Sequence, residues 1–130
     1  PQKKIPYVNA RTVQNNSLTS DRKQLERLQK IVSLDPRLSI GPPSFSWLAA
    51  AIKEIKSLKN EKKLNIPSIV LIGSGDTIVS QEAAKAQLSD DPKSVFKIYN
   101  EARHELLIET DTITKLVWQN IEAFLTSLQK

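Results

Sequence analysis

The sequence predicts an α/β fold with an incomplete parallel sheet, on three observations. First, residues 66–72 form a short, continuous, β-branched run, the pattern of a strand covered on both faces in a parallel sheet, and residues 95–99 read as a second strand. Second, a helical segment lies between them: Ser80 stands at its cap, Ala83, Ala84 and Leu88 follow, and Asp90-Asp91-Pro92 breaks it. Third, a strongly periodic stretch closes the chain. It carries Ile113, Leu116, Val117, Ile121, Phe124, Leu125 and Leu128, starting near Asp111 or Thr112. Strand, helix, strand, helix is a βαβα unit, whose crossover is expected to be right-handed. Two strands make a very small parallel sheet, so a further segment is expected to complete it.

The N-terminal half reads as helical. Residues 1–19 are polar and irregular, with room for a short strand from Lys3 to Val8. Asp21 with Gln24 forms a capping pair, after which Leu25, Leu28, Ile31 and Val32 share one helical face. Pro36 ends that helix, because the residue before proline is pushed out of the α region. Breakers fill the connector through Gly41, Pro42 and Pro43. Ser44 then caps a second helix with a stripe of Leu48, Ala51, Ile52, Ile55 and Leu58, and with Phe45 and Trp47 at its start. The chain thus divides into a tail with a helical segment, 1–64, and a βαβα segment, 65–130.

Composition narrows the chemistry. The chain has 130 residues, 39% hydrophobic and 25% charged, as expected for one modest globular domain. No run approaches the roughly 20 apolar residues that span a bilayer, and the start shows no signal-peptide pattern. Without cysteine, disulfides, thiolate catalysis and Cys-based zinc sites are excluded, and one histidine excludes a His-rich metal site. The absence of methionine has two readings, a trimmed initiator or a segment that began inside a longer polypeptide, and the small sheet favours the second. The net charge of +5 falls largely on helical stretches such as Arg22, Lys23, Arg27 and Lys30, then Lys53, Lys56, Lys59, Lys62 and Lys63. These read as solvated helix faces, with weak attraction to anionic lipid as the sharper alternative. No aromatic–basic interleaving or motif points to nucleic acid.

Two residues carry the candidate chemistry. Asp76 follows the first strand in Gly73-Ser74-Gly75-Asp76, and His104 follows the second in Ala102-Arg103-His104-Glu105. Functional groups of open α/β sheets gather beyond the carboxyl ends of strands. Taken singly, Asp76 reads as a turn aspartate capping the next helix, and His104 as a surface loop histidine. Together, on equivalent loops of successive strands, they suit an acid that orients a base. Residues 73–75 lack the pattern and lysine of a phosphate loop. Ser74 is no nucleophile elbow, since Asp76 stands where that turn needs glycine. Glu105, Glu109 and Asp111 read as helix-start residues favoured by the dipole. Phe45 and Trp47 either pack their helix onto the fold or line an acyl-binding groove.

These stretches, with Asn16-Ser17-Leu18-Thr19-Ser20-Asp21, Asp35-Pro36-Arg37-Leu38 and Pro43-Ser44 before Trp47-Leu48, resemble the C-terminal half of α/β-hydrolases of the lysophospholipase and monoacylglycerol lipase type. The resemblance runs from about Asn15 to Lys130. It implies a helical cap over residues 18–58, the last two parallel strands of the core, Asp76 as triad acid and His104 as triad base. The implied substrates are lysophospholipids, monoacylglycerols or related esters, with no cofactor or metal. The departure is large: no Gly-x-Ser-x-Gly elbow, no first strands and no oxyanion loop occur in the chain.

The sequence therefore points to the cap and C-terminal core of a lysophospholipase-like serine hydrolase, inactive by itself. The missing N-terminal half, or self-association through the open sheet, is the expected partner. The expected location is cytoplasmic or peripheral to the inner membrane face. Three alternatives stay open: a non-catalytic remnant that binds lipid or protein, a hydrolase with an aspartate nucleophile, and a basic surface-binding module.

Overall fold

A computed structural model of the chain describes residues 15–38, 42–58, 66–88 and 93–129. The expected strand from Lys3 to Val8, residues 39–41 of the connector, residues Lys59, Lys62 and Lys63, and the Asp90-Asp91-Pro92 break lie outside them. The described elements run in the expected order: α1 (Arg22–Leu34), a 3-10 turn (Pro36–Leu38), α2 (Phe45–Leu58), β1 (Ser68–Gly73), α3 (Gln81–Leu88), β2 (Ser94–Tyr99), a second 3-10 turn (Leu106–Ile108) and α4 (Asp111–Ser127).

Local chemistry explains the helix starts. Asp21 caps α1 by accepting the Gln24 N–H at 3.1 Å, and Ser44 caps α2 by accepting the Trp47 N–H at 3.1 Å. Ser80 does the same for α3 through the Ala83 N–H, also at 3.1 Å. Each bond satisfies one of the amides that a helix leaves unpaired at its start. At α1 the other half of the expected pair is different, because Thr19 Oγ1 takes the Asp21 N–H at 3.0 Å. Leu34 ends α1, one residue short of the position before Pro36.

The strands pair in parallel, Ser68 opposite Ser94 through Gly73 opposite Tyr99. β1 begins two residues later than the sequence suggests, at Ser68, and extends to Gly73. Proline has no amide for the ladder, so Pro67 falls just outside it. One expectation is corrected. The strands are not covered on both faces: in the described residues β2 leaves Ile98 50% exposed, and most of β1 is half-buried. Among the described residues neither strand has a second neighbour, and the described helices cover only part of the sheet's faces.

The core gathers at the carboxyl ends of the strands. Tyr99, Ala102, Leu106 and Val117 are buried together, with Leu71, Ile113 and Ile121 against them. It thus joins the end of β2, the loop after it and the inner face of α4. Helix α1 adds Leu25 and Val32. Helix α2 has no buried residue.

Candidate functional site

The two loops leaving the sheet meet through backbone bonds before any side chain is considered. The Ser74 N–H donates to Tyr99 O and the Gly75 N–H to Ala102 O, both at 2.8 Å. A side chain at Gly73 would overlap the Ala102 carbonyl oxygen. Glycine at 73 is therefore required by close approach of two backbones. Ser74 Oγ accepts the Glu101 N–H at 2.8 Å. It thereby supports Glu101, a non-glycine residue with φ of 60°, in a left-handed conformation that costs strain and gathers at functional loops. Ser74 is thus a brace between loops.

Asp76 uses its two carboxylate oxygens for two tasks. Oδ1 accepts the Ile78 N–H at 2.7 Å and the Val79 N–H at 3.1 Å, the bonds of an aspartate turn. Oδ2 lies 2.9 Å from His104 Nδ1. The turn role read from sequence and the partnership with histidine therefore coexist. The helix cap expected of a turn aspartate belongs instead to Ser80. Gln81, at the start of α3, holds the same loop by donating from Nε2 to Gly73 O at 3.1 Å and Ser74 O at 3.0 Å. Sequence reading passed over Gln81, because its partners are backbone atoms that leave no pattern.

Electrostatics settle the proton between the pair. Burial pushes the Asp76 carboxyl up, but the hydrogen bond from His104 and those from the Ile78 and Val79 amides outweigh it. Its pKa lies below the ordinary carboxylate value. An ionised carboxylate only accepts, so the proton of the bond belongs to Nδ1 and the lone pair of neutral His104 is on Nε2. The Asp76 side chain is 5% exposed and that of His104 30%, so the acid is enclosed and the base is reachable.

His104 is also held from behind. Its N–H donates to Ser17 O at 3.3 Å, and the Glu105 N–H donates to Leu18 O at 2.8 Å. Asn16 Oδ1 accepts the Leu18 and Thr19 amides at 3.0 Å each, and Thr19 Oγ1 donates to Ile108 O at 2.7 Å. Arg103 Nη1 donates to Asn16 O at 2.7 Å and Thr19 O at 3.2 Å. Glu109, expected as a simple helix-start residue, is fully buried in this network. It does lie one residue before the Thr110 cap of α4. Its carboxylate, however, binds groups from two other segments.

The structure brings Asp76 and His104 together, and Phe45 and Trp47 stand exposed on α2. A hollow of about 400 Å³ beside Asp76 is lined by residues 76–82, without either aromatic. Phe45 is 94% exposed and Trp47 60%, so neither packs its helix onto the described fold. Among the described residues no group of three or more His, Asp or Glu side chains could hold a metal ion. The arrangement can therefore move a proton at Nε2 and stabilise the resulting imidazolium.

Comparison with known proteins supplies the context. The family described as serine aminopeptidase, S33, matches residues 2–111. A probable lysophospholipase L2 of Haemophilus influenzae is 26% identical over 111 residues, covering 85% of this chain and 36% of that protein. The crystal structure of a soluble variant of monoglyceride lipase from Saccharomyces cerevisiae, in complex with a substrate analog, superposes with a TM-score of 0.66 at 23% identity. That match covers 85% of this chain and 40% of the lipase, and it speaks to the fold alone. The chain spans about a third of the length of the lysophospholipase it matches.

Proposed function

The chain belongs to the serine aminopeptidase S33 family of α/β-hydrolases, and on that premise we propose that it supplies the acid and base of a serine hydrolase for acyl-glycerol or lysophospholipid esters. The observation that carries this reading is the 2.9 Å bond between His104 Nδ1 and a buried, ionised Asp76. The substrate class is suggested by the relatives, a probable lysophospholipase and a monoglyceride lipase. The nucleophile and oxyanion donors would come from a segment outside these 130 residues, since the chain has no Gly-x-Ser-x-Gly turn.

In this reading His104 Nε2 takes the proton of a serine hydroxyl as its oxygen attacks the ester carbonyl. Asp76 holds the ring in the required tautomer and offsets the imidazolium charge. Nε2 then returns the proton to the departing alcohol as the carbon–oxygen bond breaks. A water molecule, deprotonated by the same nitrogen, releases the fatty acid and regenerates serine. Phe45 and Trp47 would offer apolar surface to the acyl chain from the cap, residues 18–58.

The test is a fluorophosphonate probe, which labels only an activated serine. The 130-residue chain alone should stay unlabelled and hydrolyse no short-chain ester, because loss of a triad nucleophile costs about 10⁶ in turnover. Co-expression with a segment bearing the nucleophile elbow of a relative should restore labelling, and His104→Ala in the same pair should remove it. Labelling of the chain alone would overturn the reading.

A specific observation favours a second reading, in which the chain self-associates without catalysis. Val95 and Ile98 of β2 and Leu116 and Trp118 of α4 are all exposed, an apolar display unusual for a monomer. Sedimentation separates the two: a concentration-dependent dimer that fails to form active enzyme with the nucleophile segment supports the second.

A further inference from the structure

Glu109 is a fully buried carboxylate that the proposed reaction does not use. An ionised carboxylate in the interior is costly unless its oxygens are satisfied. Here both oxygens are. Oε1 accepts the Ser20 N–H at 2.9 Å and the Arg103 N–H at 2.8 Å. Oε2 accepts from Ser20 Oγ at 2.5 Å and from the Thr110 N–H at 3.3 Å. Three segments thus converge on one side chain: the stretch before α1, the loop carrying the base, and the start of α4.

The placement of those partners is specific. Arg103 immediately precedes His104. Ser20 ends the stretch whose Ser17 and Leu18 carbonyls receive the His104 and Glu105 amides. Glu109 therefore grips the backbone of the base on one side and, on the other, the strip on which that backbone rests. We propose that Glu109 is a positioning residue for His104, fixing where its ring meets Asp76; this rests on the reading of Asp76 and His104 as acid and base. Glu109 touches no reacting atom. Its effect reaches the ring through the Arg103 amide and through residues 16–20. Charge-assisted bonds to a carboxylate are stronger than neutral ones, which suits a clamp across chain segments 89 positions apart.

The chain has one histidine, so proton and nitrogen NMR of the full 130-residue chain reports a single imidazole. The Nδ1 proton bonded to Asp76 should give a low-field line, absent in Asp76→Asn. Absence of that line from the unmodified chain would defeat the acid–base reading itself, separately from the clamp. Given the line, Glu109→Ala should lose it while the amide spectrum stays dispersed. Glu109→Gln, which keeps one acceptor oxygen for the Ser20 and Arg103 amides but loses the charge and the acceptor for the Thr110 N–H, should retain the line with faster exchange of the Nδ1 proton than in the unmodified chain. Val32→Ala, which weakens α1 without touching the clamp, should leave it in place. Should Glu109→Ala fail to fold, Ser20→Ala removes one bond to Oε2 and should speed exchange of the Nδ1 proton with water. Retention of the line in folded Glu109→Ala, unchanged exchange in Ser20→Ala, or loss of the line in Val32→Ala as well would each overturn the proposal.

Discussion

Helix α2 and the loops at the carboxyl end of the sheet stand at opposite extremes of this molecule. Helix α2 has a regular stripe of Leu48, Ile52, Ile55 and Leu58, a serine cap, and no buried residue. The loops after β1 and β2 have no such periodicity, yet they hold Asp76, Ala102, Leu106 and Glu109 in a tightly bonded interior. The difference teaches that local regularity does not measure tertiary engagement. A cap and a 3.6-residue period are enough to define a helix. Bringing two loops to hydrogen-bonding distance requires atoms from segments far apart in sequence.

Three predictions press on that contrast. Gly73→Ala should have the largest effect, about 3 kcal/mol or more, because its Cβ would overlap the Ala102 carbonyl and backbone cannot yield as a side-chain end can. Urea unfolding measures it; a loss under about 1 kcal/mol would mean that the two loops are not rigidly joined. The His104 Nδ1 line should vanish in the same variant.

Acid should separate the regions next. The Asp76 pKa is lower folded than unfolded, so its contribution is present above the unfolded value of about 3.9 and is lost as pH falls through the folded value. At pH 6, Asp76→Asn should cost about 2 kcal/mol, the scale of a hydrogen bond to a charged group. Unfolding midpoints of the two proteins should converge as pH drops below about 4. A gap that persists there would mean that the carboxylate charge does not support the loop.

Ile52→Ser on α2 should have the smallest effect, within about 0.5 kcal/mol, the usual range for surface changes. A loss above about 2 kcal/mol, with a concentration-dependent midpoint, would show that α2 is covered by another copy in solution.

The sequence was legible wherever the determinant was local. Asp21, Ser44 and Ser80 mark their helices because a cap acts within three residues. The early end of α1 follows from Pro36. Asp76 and His104 stood out because each closes a strand at the functional edge. What was not legible had distant causes. The apolar runs suggested strands covered on both faces, but exposure of Ile98 depends on which layers are present. Glu109 looked like one more acid at a helix start, because nothing near it in sequence announces Ser20 as its partner. Gln81 read as an ordinary helix residue although it ties α3 to the Gly73 and Ser74 carbonyls.

By itself, the sequence determined the order of elements, the helix caps, and the two loops that could carry an acid and a base. Those follow from period, breakers and capping, which act over a few residues. Only the tertiary structure decided that Asp76 Oδ2 meets His104 Nδ1 across 28 positions, and that Glu109 binds Ser20 across 89. The reason is physical. The register of β1 against β2, and the side-chain-free approach of Gly73 to Ala102, bring the loops within a few ångströms of each other, and no local rule specifies that distance.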